Sequence, residues 1–220
     1  MKILFLILLI ADALTHLFFC LPPAQSKLRK VTKLLLMPLL AVCYTYFAAD
    51  FTPLVPVALL FGFIGDALLL YPDREKFFFA GLSAFGIGHV LYIIVFLGRI
   101  GVRPPLWIVA VAIVLYALGI VLMLRYLLPS LSEFLVIPCC VYMVLLSFMS
   151  LSAFVFALGS AGAAPTVVFI GSLLFLVSDG VLAVATFQRK MAYAPLLIMS
   201  TYIAAQSMIA FGLAAFTGVV

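Results

Sequence analysis

The sequence predicts an all-α membrane protein, a single bundle of eight transmembrane helices over residues 1–220. Three observations lead there. Hydrophobic residues make up 68% of the chain and charged residues 9%, against about a quarter charged in a soluble domain, so this chain cannot cover a water-facing surface. The apolar residues fall in runs of about 20, the length that crosses a bilayer as a helix. In lipid, a run that long satisfies its own backbone hydrogen bonds only as a helix.

Breaking the chain at Pro, Gly and charge clusters gives segments at 2–20, 32–49, 53–71, 77–98, 106–127, 134–157, 164–186 and 192–217. The first, MKILFLILLIADALTHLFFC, opens on Lys2 as a signal peptide would. Asp12 and His16 interrupt its core and no A-x-A site follows, so it is expected to stay as a first helix. The second is expected to open on Lys33 at the membrane rim. The third ends at YPDREK (71–76) and the seventh at FQRK (187–190). Links this short make successive helices antiparallel neighbours. No stretch is polar and long enough to form a second, soluble domain.

Charge sets the expected orientation. Lys27, Arg29, Lys30, Lys33, Arg74, Lys76, Arg125, Arg189 and Lys190 flank the odd-to-even links, and only Lys2, Arg99 and Arg103 lie on the opposite side. The positive-inside rule puts the first group in the cytoplasm and both termini outside. Compact loops and strong charge asymmetry suit a bacterial inner membrane. The net charge of +5 is not a nucleic-acid signal, because the basic residues sit in short links between apolar segments.

Cys20, Cys43, Cys139 and Cys140 form no C-x-x-C and no disulfide framework and read as small apolar fillers. No P-loop, Ser-His-Asp order or zinc spacing is present, and neither a metal nor a cofactor is expected. GDALLLYPDREKF (65–77) and SDGVLAVATFQRKM (178–191) share a pattern of small residue, Asp, apolar run and basic link. A polar residue follows in the next helix, His89 in one copy and Gln206 in the other. This suggests a parallel four-plus-four pseudo-repeat, with chance likeness between apolar helices as the rival.

Ionisable residues inside spans cost about 2.5–3.5 kcal/mol each, so a function is their default reading. Those here are Asp12, His16, Lys33, Asp66, His89 and Asp179. Counted from the predicted helix ends, Asp66 and Asp179 lie at similar depth on one side, roughly 7–11 Å in, where one cavity can hold both. The rival is a hydrogen bond that joins helices. Gly62 shares the face of Asp66, and Ser172, Phe175 and Leu182 share that of Asp179. His89, with Phe85 and Tyr92 on its face, can orient a carboxylate, move a proton, bind a headgroup or simply pack. Asp12 and His16, four apart, can pair with each other. Lys33 is either a snorkelling orientation signal or a phosphate ligand. Tyr202 and Gln206 share a face, for hydrogen bonding or for substrate contact.

Taken together, GDALL (65–69), FFFAGLSAFGIGHVLY (77–92) and LFLVSDGVLA (174–183) resemble the signature regions of the YhhN-like lysoplasmalogenase family. TKLLLMPLL (32–40) resembles its second helix, with the proline displaced to Pro38, and TYIAAQSMI (201–209) its Y-x-x-x-Q pattern. The resemblance implies an integral membrane hydrolase that cleaves the sn-1 vinyl ether of lysoplasmalogens. The products are a fatty aldehyde and glycerophosphocholine or glycerophosphoethanolamine.

The implied partners are this lysophospholipid and membrane lipid. Asp66 and Asp179 would be the acid–base pair, in either order, and His89 an orienting or relay group. Lys33, Arg74 or Lys190 would hold the phosphate, and Tyr92, Tyr202, Gln206 and Asp12 complete the expected substrate contacts. Protonating the β-carbon of a vinyl ether gives an oxocarbenium ion, a problem glycosidases solve with two carboxyls, and two carboxyls in a low-dielectric pocket tend to share one proton. The alternative is a small proton-coupled transporter using the same residues, although the third and seventh helices lack the Gly/Pro breaks of such carriers. A non-catalytic lipid-binding scaffold is a third reading.

Overall fold

The computed structural model describes residues 1–22, 27–70 and 74–217. Positions 71–73, in the YPDREK link and the first repeat copy, lie outside the described residues. Eight α-helices follow one another: α1 (Lys2–Phe19), α2 (Lys27–Phe47), α3 (Leu54–Leu68), α4 (Glu75–Gly98), α5 (Leu106–Leu127), α6 (Glu133–Gly159), α7 (Ala163–Phe187) and α8 (Ala194–Ala215). A single 3-10 turn, Leu128–Ser130, joins α5 to α6, and no strand occurs among the described residues. Seven helices are long and apolar enough to cross a membrane; α3, at 15 residues, is the exception. The chain is a polytopic helical membrane bundle.

Two helices depart from their predicted bounds by three residues or more. α2 begins at Lys27, five residues before the apolar run, because apolarity marks where lipid begins and not where the helix does. α3 stops at Leu68, three residues early. Pro38 and Pro138 lie inside α2 and α6 without ending them. Each removes one backbone hydrogen bond, which packed membrane helices tolerate.

Packing arranges the helices as a ring. α2, α3, α4, α6, α7 and α8 follow one another around it, and α8 closes it against α2. α1 lies outside on α2, and α5 lies outside on α6. The halves correspond: α3–α4 and α7–α8 are the tightest pairs, and α4–α6 and α8–α2 are the joints between halves. The residue matching His89 is Tyr202 rather than the expected Gln206, since each follows its aspartate by 23 positions.

Lipid tails are as apolar as leucine, so close packing and internal hydrogen bonds hold such a ring together. At Gly171 on α7, a Cβ would come within 2.9 Å of the Ala205 carbonyl on α8, so only glycine permits that approach. Rings of Tyr92, Phe96, Phe156 and Phe216 pack in series with centroids 5.8, 6.1 and 5.0 Å apart. At the end of α4, Arg99 ties Asp50 (3.2 Å) and Thr52 (2.6 Å) to the Leu213 carbonyl on α8 (3.3 Å).

Candidate active site

Each helix of the ring contributes at least one polar side chain to two networks, α4 and α8 two each. The first is built on Asp66 of α3, which is 3% exposed. Lys33 on α2 places Nζ 3.1 Å from Oδ1, and the Tyr202 hydroxyl on α8 donates to Oδ2 at 2.9 Å. Gly62, one turn before Asp66, faces α8, and a Cβ there would meet the Tyr202 hydroxyl at 3.4 Å, an ordinary contact. Behind Tyr202, Gln206 hydrogen-bonds that hydroxyl and accepts from the Tyr92 hydroxyl at 2.8 Å.

The second network is built on Asp179 of α7. Its Oδ2 accepts from the Tyr142 hydroxyl on α6, and Tyr142 in turn lies 3.1 Å from Nε2 of His89 on α4. A phenol has one proton. With that proton directed to Asp179, His89 donates Nε2–H to the Tyr142 oxygen, and the imidazole is neutral with a bare Nδ1. Nδ1 is buried and has no hydrogen-bond partner among the described residues.

The two acids therefore differ in their company. Asp66 faces an ammonium inside the bundle, where the Lys33 and Asp66 side chains are only 14% and 4% exposed. A buried pair of this kind holds both partners charged, since removing either leaves an uncompensated ion. Asp179 faces a neutral phenol, and among the described residues no Lys, Arg or His nitrogen lies within 4 Å of it. Between the networks, Phe85, Phe175 and Tyr202 meet edge to face, with centroids 6.4, 6.1 and 5.5 Å apart. Phe85 fits because Gly65 leaves room; a Cβ there would stand 2.5 Å from its ring.

Asp66, Asp179, Lys33, Tyr142 and Tyr202 all line one cavity of about 1030 Å³, with Arg29 and Lys190 also on its wall. His89, Gln206 and Tyr92 are not on the wall and reach it through Tyr142 and Tyr202.

Several expectations fail here. Lys33 does not open α2: it stands six residues in and is neither a rim residue nor snorkelling, because its ammonium turns inward to Asp66. The depth match by counting from helix ends also fails. Asp66 is two residues from the end of α3 and Asp179 eight from the end of α7, about 3 and 12 Å, because α3 stops short. Asp12 and His16 do not pair. His16 turns to α2, where Nδ1 meets Thr32 at 2.8 Å, and its Nε2 lies 3.5 Å from the Cys20 sulfur. Asp12 sits on α1 outside the ring, off the cavity wall, with Oδ2 unpartnered among the described residues. Arg74, at the start of α4, is exposed, lies over the Phe77 ring at 6.0 Å and is not on the wall.

Tyr142 is the residue that sequence reasoning missed. A tyrosine in a span has no insertion cost like that of an aspartate and so gives no signal. Position gives no hint either: α6 corresponds to α2, but at the spacing that matches Asp66 with Asp179, Lys33 falls opposite Leu146.

A six-helix ring that gathers ionisable side chains onto an apolar cavity defines a polytopic membrane protein with an intramembrane polar site. The model of the YhhN family matches residues 28–213, and the chain belongs to that family. It is 35% identical over 164 residues to the Homo sapiens protein named lysoplasmalogenase TMEM86B, covering 74% of this chain and 64% of that one. It is likewise 35% identical over 159 residues to Bos taurus lysoplasmalogenase TMEM86A, covering 70% and 62%. The chain thus spans less than two thirds of the length of these relatives. No solved structure matches it.

Proposed function

We propose that the protein is a lysoplasmalogenase, hydrolysing the sn-1 vinyl ether of a choline or ethanolamine lysoplasmalogen to a fatty aldehyde and the glycerophospho-alcohol. The observation that carries this reading is the unlike pair of carboxyls on one apolar cavity, Asp66 buried and ion-paired, Asp179 half-buried and, among the described residues, not ion-paired. The names of the relatives point the same way.

The chemistry follows from that difference. Asp179, without a cation, holds a proton and gives it to the β-carbon of the vinyl ether, while the C=C electrons form the C–H bond. The α-carbon becomes an oxocarbenium ion, and the Asp66 carboxylate, held by Lys33 and Tyr202, lies on the same cavity to stabilise it. Water attacks the α-carbon and gives its proton to Asp66. The hemiacetal then collapses: Asp66 returns that proton to the departing glycerol oxygen, and Asp179 takes the hemiacetal hydroxyl proton, which restores both acids. The Tyr142–His89 pair orients Asp179. Lys190, on the cavity wall, suits the phosphate; Arg74, away from it, does not.

Incubating the purified protein with lysoplasmalogen is expected to release aldehyde, whereas the matching saturated alkyl ether, which cannot form the oxocarbenium ion by protonation, releases none. No aldehyde from either lipid, with solute uptake by sealed proteoliposomes, would favour the transporter instead. The charge asymmetry further supports a bacterial inner-membrane location with the Lys190 link in the cytoplasm and both termini outside. A cysteine introduced at Gln188 should then be shielded from impermeant thiol reagents in right-side-out vesicles, and labelling there would reverse the orientation.

A further inference from the structure

The cavity is long and unequal about Asp179. On α7 its wall runs through Phe169, Leu173, Leu176, Gly180, Ala183 and Phe187, helical spacing over about 27 Å. Asp179 divides this length. The shorter arm, about 12 Å, runs to Phe187 and ends near Lys190, with Arg29 also on the wall. The longer arm, about 15 Å, runs to Phe169. It ends where Phe154 and Phe169, both on the wall, pack with centroids 5.1 Å apart.

Two polar side chains line the long arm, Tyr116 and Ser147, and the first is already satisfied. Tyr116 meets Ser150 at 2.7 Å, Ser150 meets Ser172 at 2.9 Å, and Ser172 donates to the Phe169 carbonyl at 2.7 Å. Ser147 apart, that surface asks nothing of a ligand but hydrocarbon. α5 forms the outer wall, and Gly119 stands there with nothing within 4 Å of a Cβ. One turn toward the cationic end, Met123 reaches Gly180, its Cε 3.5 Å from a Cβ placed there. One turn the other way is Tyr116. Gly119 therefore borders the long arm just past Asp179.

We propose that this arm gauges the hydrocarbon chain of a single-chain phospholipid, with Gly119 keeping it open and the Phe154–Phe169 pair forming its end. The proposal rests on the reading above and adds to it the basis of chain selection. Carbon–carbon bonds of about 1.52 Å meeting at about 111° advance about 1.25 Å per carbon, so about 12 extended carbons fill the arm. The cationic end takes the phosphate, and with a single apolar arm a second acyl chain has no place.

The test uses the full chain in detergent and measures displacement of a fluorescent single-chain lipid by non-cleavable alkyl-ether glycerophosphocholines. Chains of about 4 and about 12 carbons bracket the position of Gly119. The wild type is expected to bind the longer at least about 100-fold tighter, since each buried methylene adds to affinity. Gly119→Trp should cut that ratio below about 10-fold while leaving short-chain binding within about threefold, because the ring fills the arm only beyond Asp179. Gly119→Ala should keep the wild-type ratio.

If Gly119→Trp fails to fold, Phe169→Ala serves in its place, moving the end of the arm and shifting the preferred chain a few carbons longer. An unchanged ratio in Gly119→Trp, an unchanged preferred length in Phe169→Ala, or equal displacement by a diacyl phospholipid would overturn the proposal. The expected binding pattern without aldehyde from any alkenyl lipid would overturn the hydrolase reading and leave the gauge supported.

Discussion

Asp179→Asn is expected to lower aldehyde release by at least about 10³-fold, the upper part of the range for a positioned general acid. Asparagine keeps the shape and can still accept from Tyr142, so the variant should extract, purify and melt like the wild type. Among the described residues Asp179 has no cationic partner whose charge is left stranded, which is why a catalytic loss without a stability loss is expected. Tyr142→Phe removes only the hydroxyl between His89 and Asp179 and should cost about a hundredfold. Lost orientation of Asp179 would appear in kcat, with KM little changed. Near-wild-type turnover in Asp179→Asn would remove this residue from the acid role and end the assignment of unlike functions to the two carboxyls.

Lys33→Met is expected to have the larger effect on stability. It leaves the Asp66 carboxylate buried without its ammonium, and breaking a buried ion pair from one side costs about 3–5 kcal/mol. Asp66→Asn strands Lys33 instead and should destabilise by a similar amount, besides abolishing turnover. The double variant Lys33→Met/Asp66→Asn removes both charges, so it should recover most of the lost stability while staying inactive. Denaturant or thermal melts of the four proteins in one detergent form a double-mutant cycle. Strict additivity, with no recovery in the double variant, would mean that the 3.1 Å contact does not hold Asp66 ionised.

Much of this architecture was legible in the sequence. Eight apolar runs gave the eight helices, since the thickness of a bilayer dictates the length of a spanning segment. Asp66, His89 and Asp179 stood out because an ionisable group in a span is costly wherever it points. What stayed hidden was who meets whom. Lys33 read as a rim residue because the boundary of an apolar run was taken for the start of a helix. Asp12 and His16 read as a pair because they share a helix face, but Thr32 on α2 offered His16 another partner. Tyr142 carried no signal, since a phenol is ordinary in an apolar helix until a neighbouring helix sets a carboxylate against it.

By itself, the sequence determined that the chain lives in a membrane, how many helices it forms, and which side chains are expensive there, because transfer cost belongs to a residue and the segment around it. Only the tertiary structure decided which aspartate received an ammonium beside its phenol and which a phenol alone, and that both face one unequal cavity. Charge compensation falls off over a few ångströms between helices that lie far apart in sequence, so it is set by packing and cannot be read along the chain.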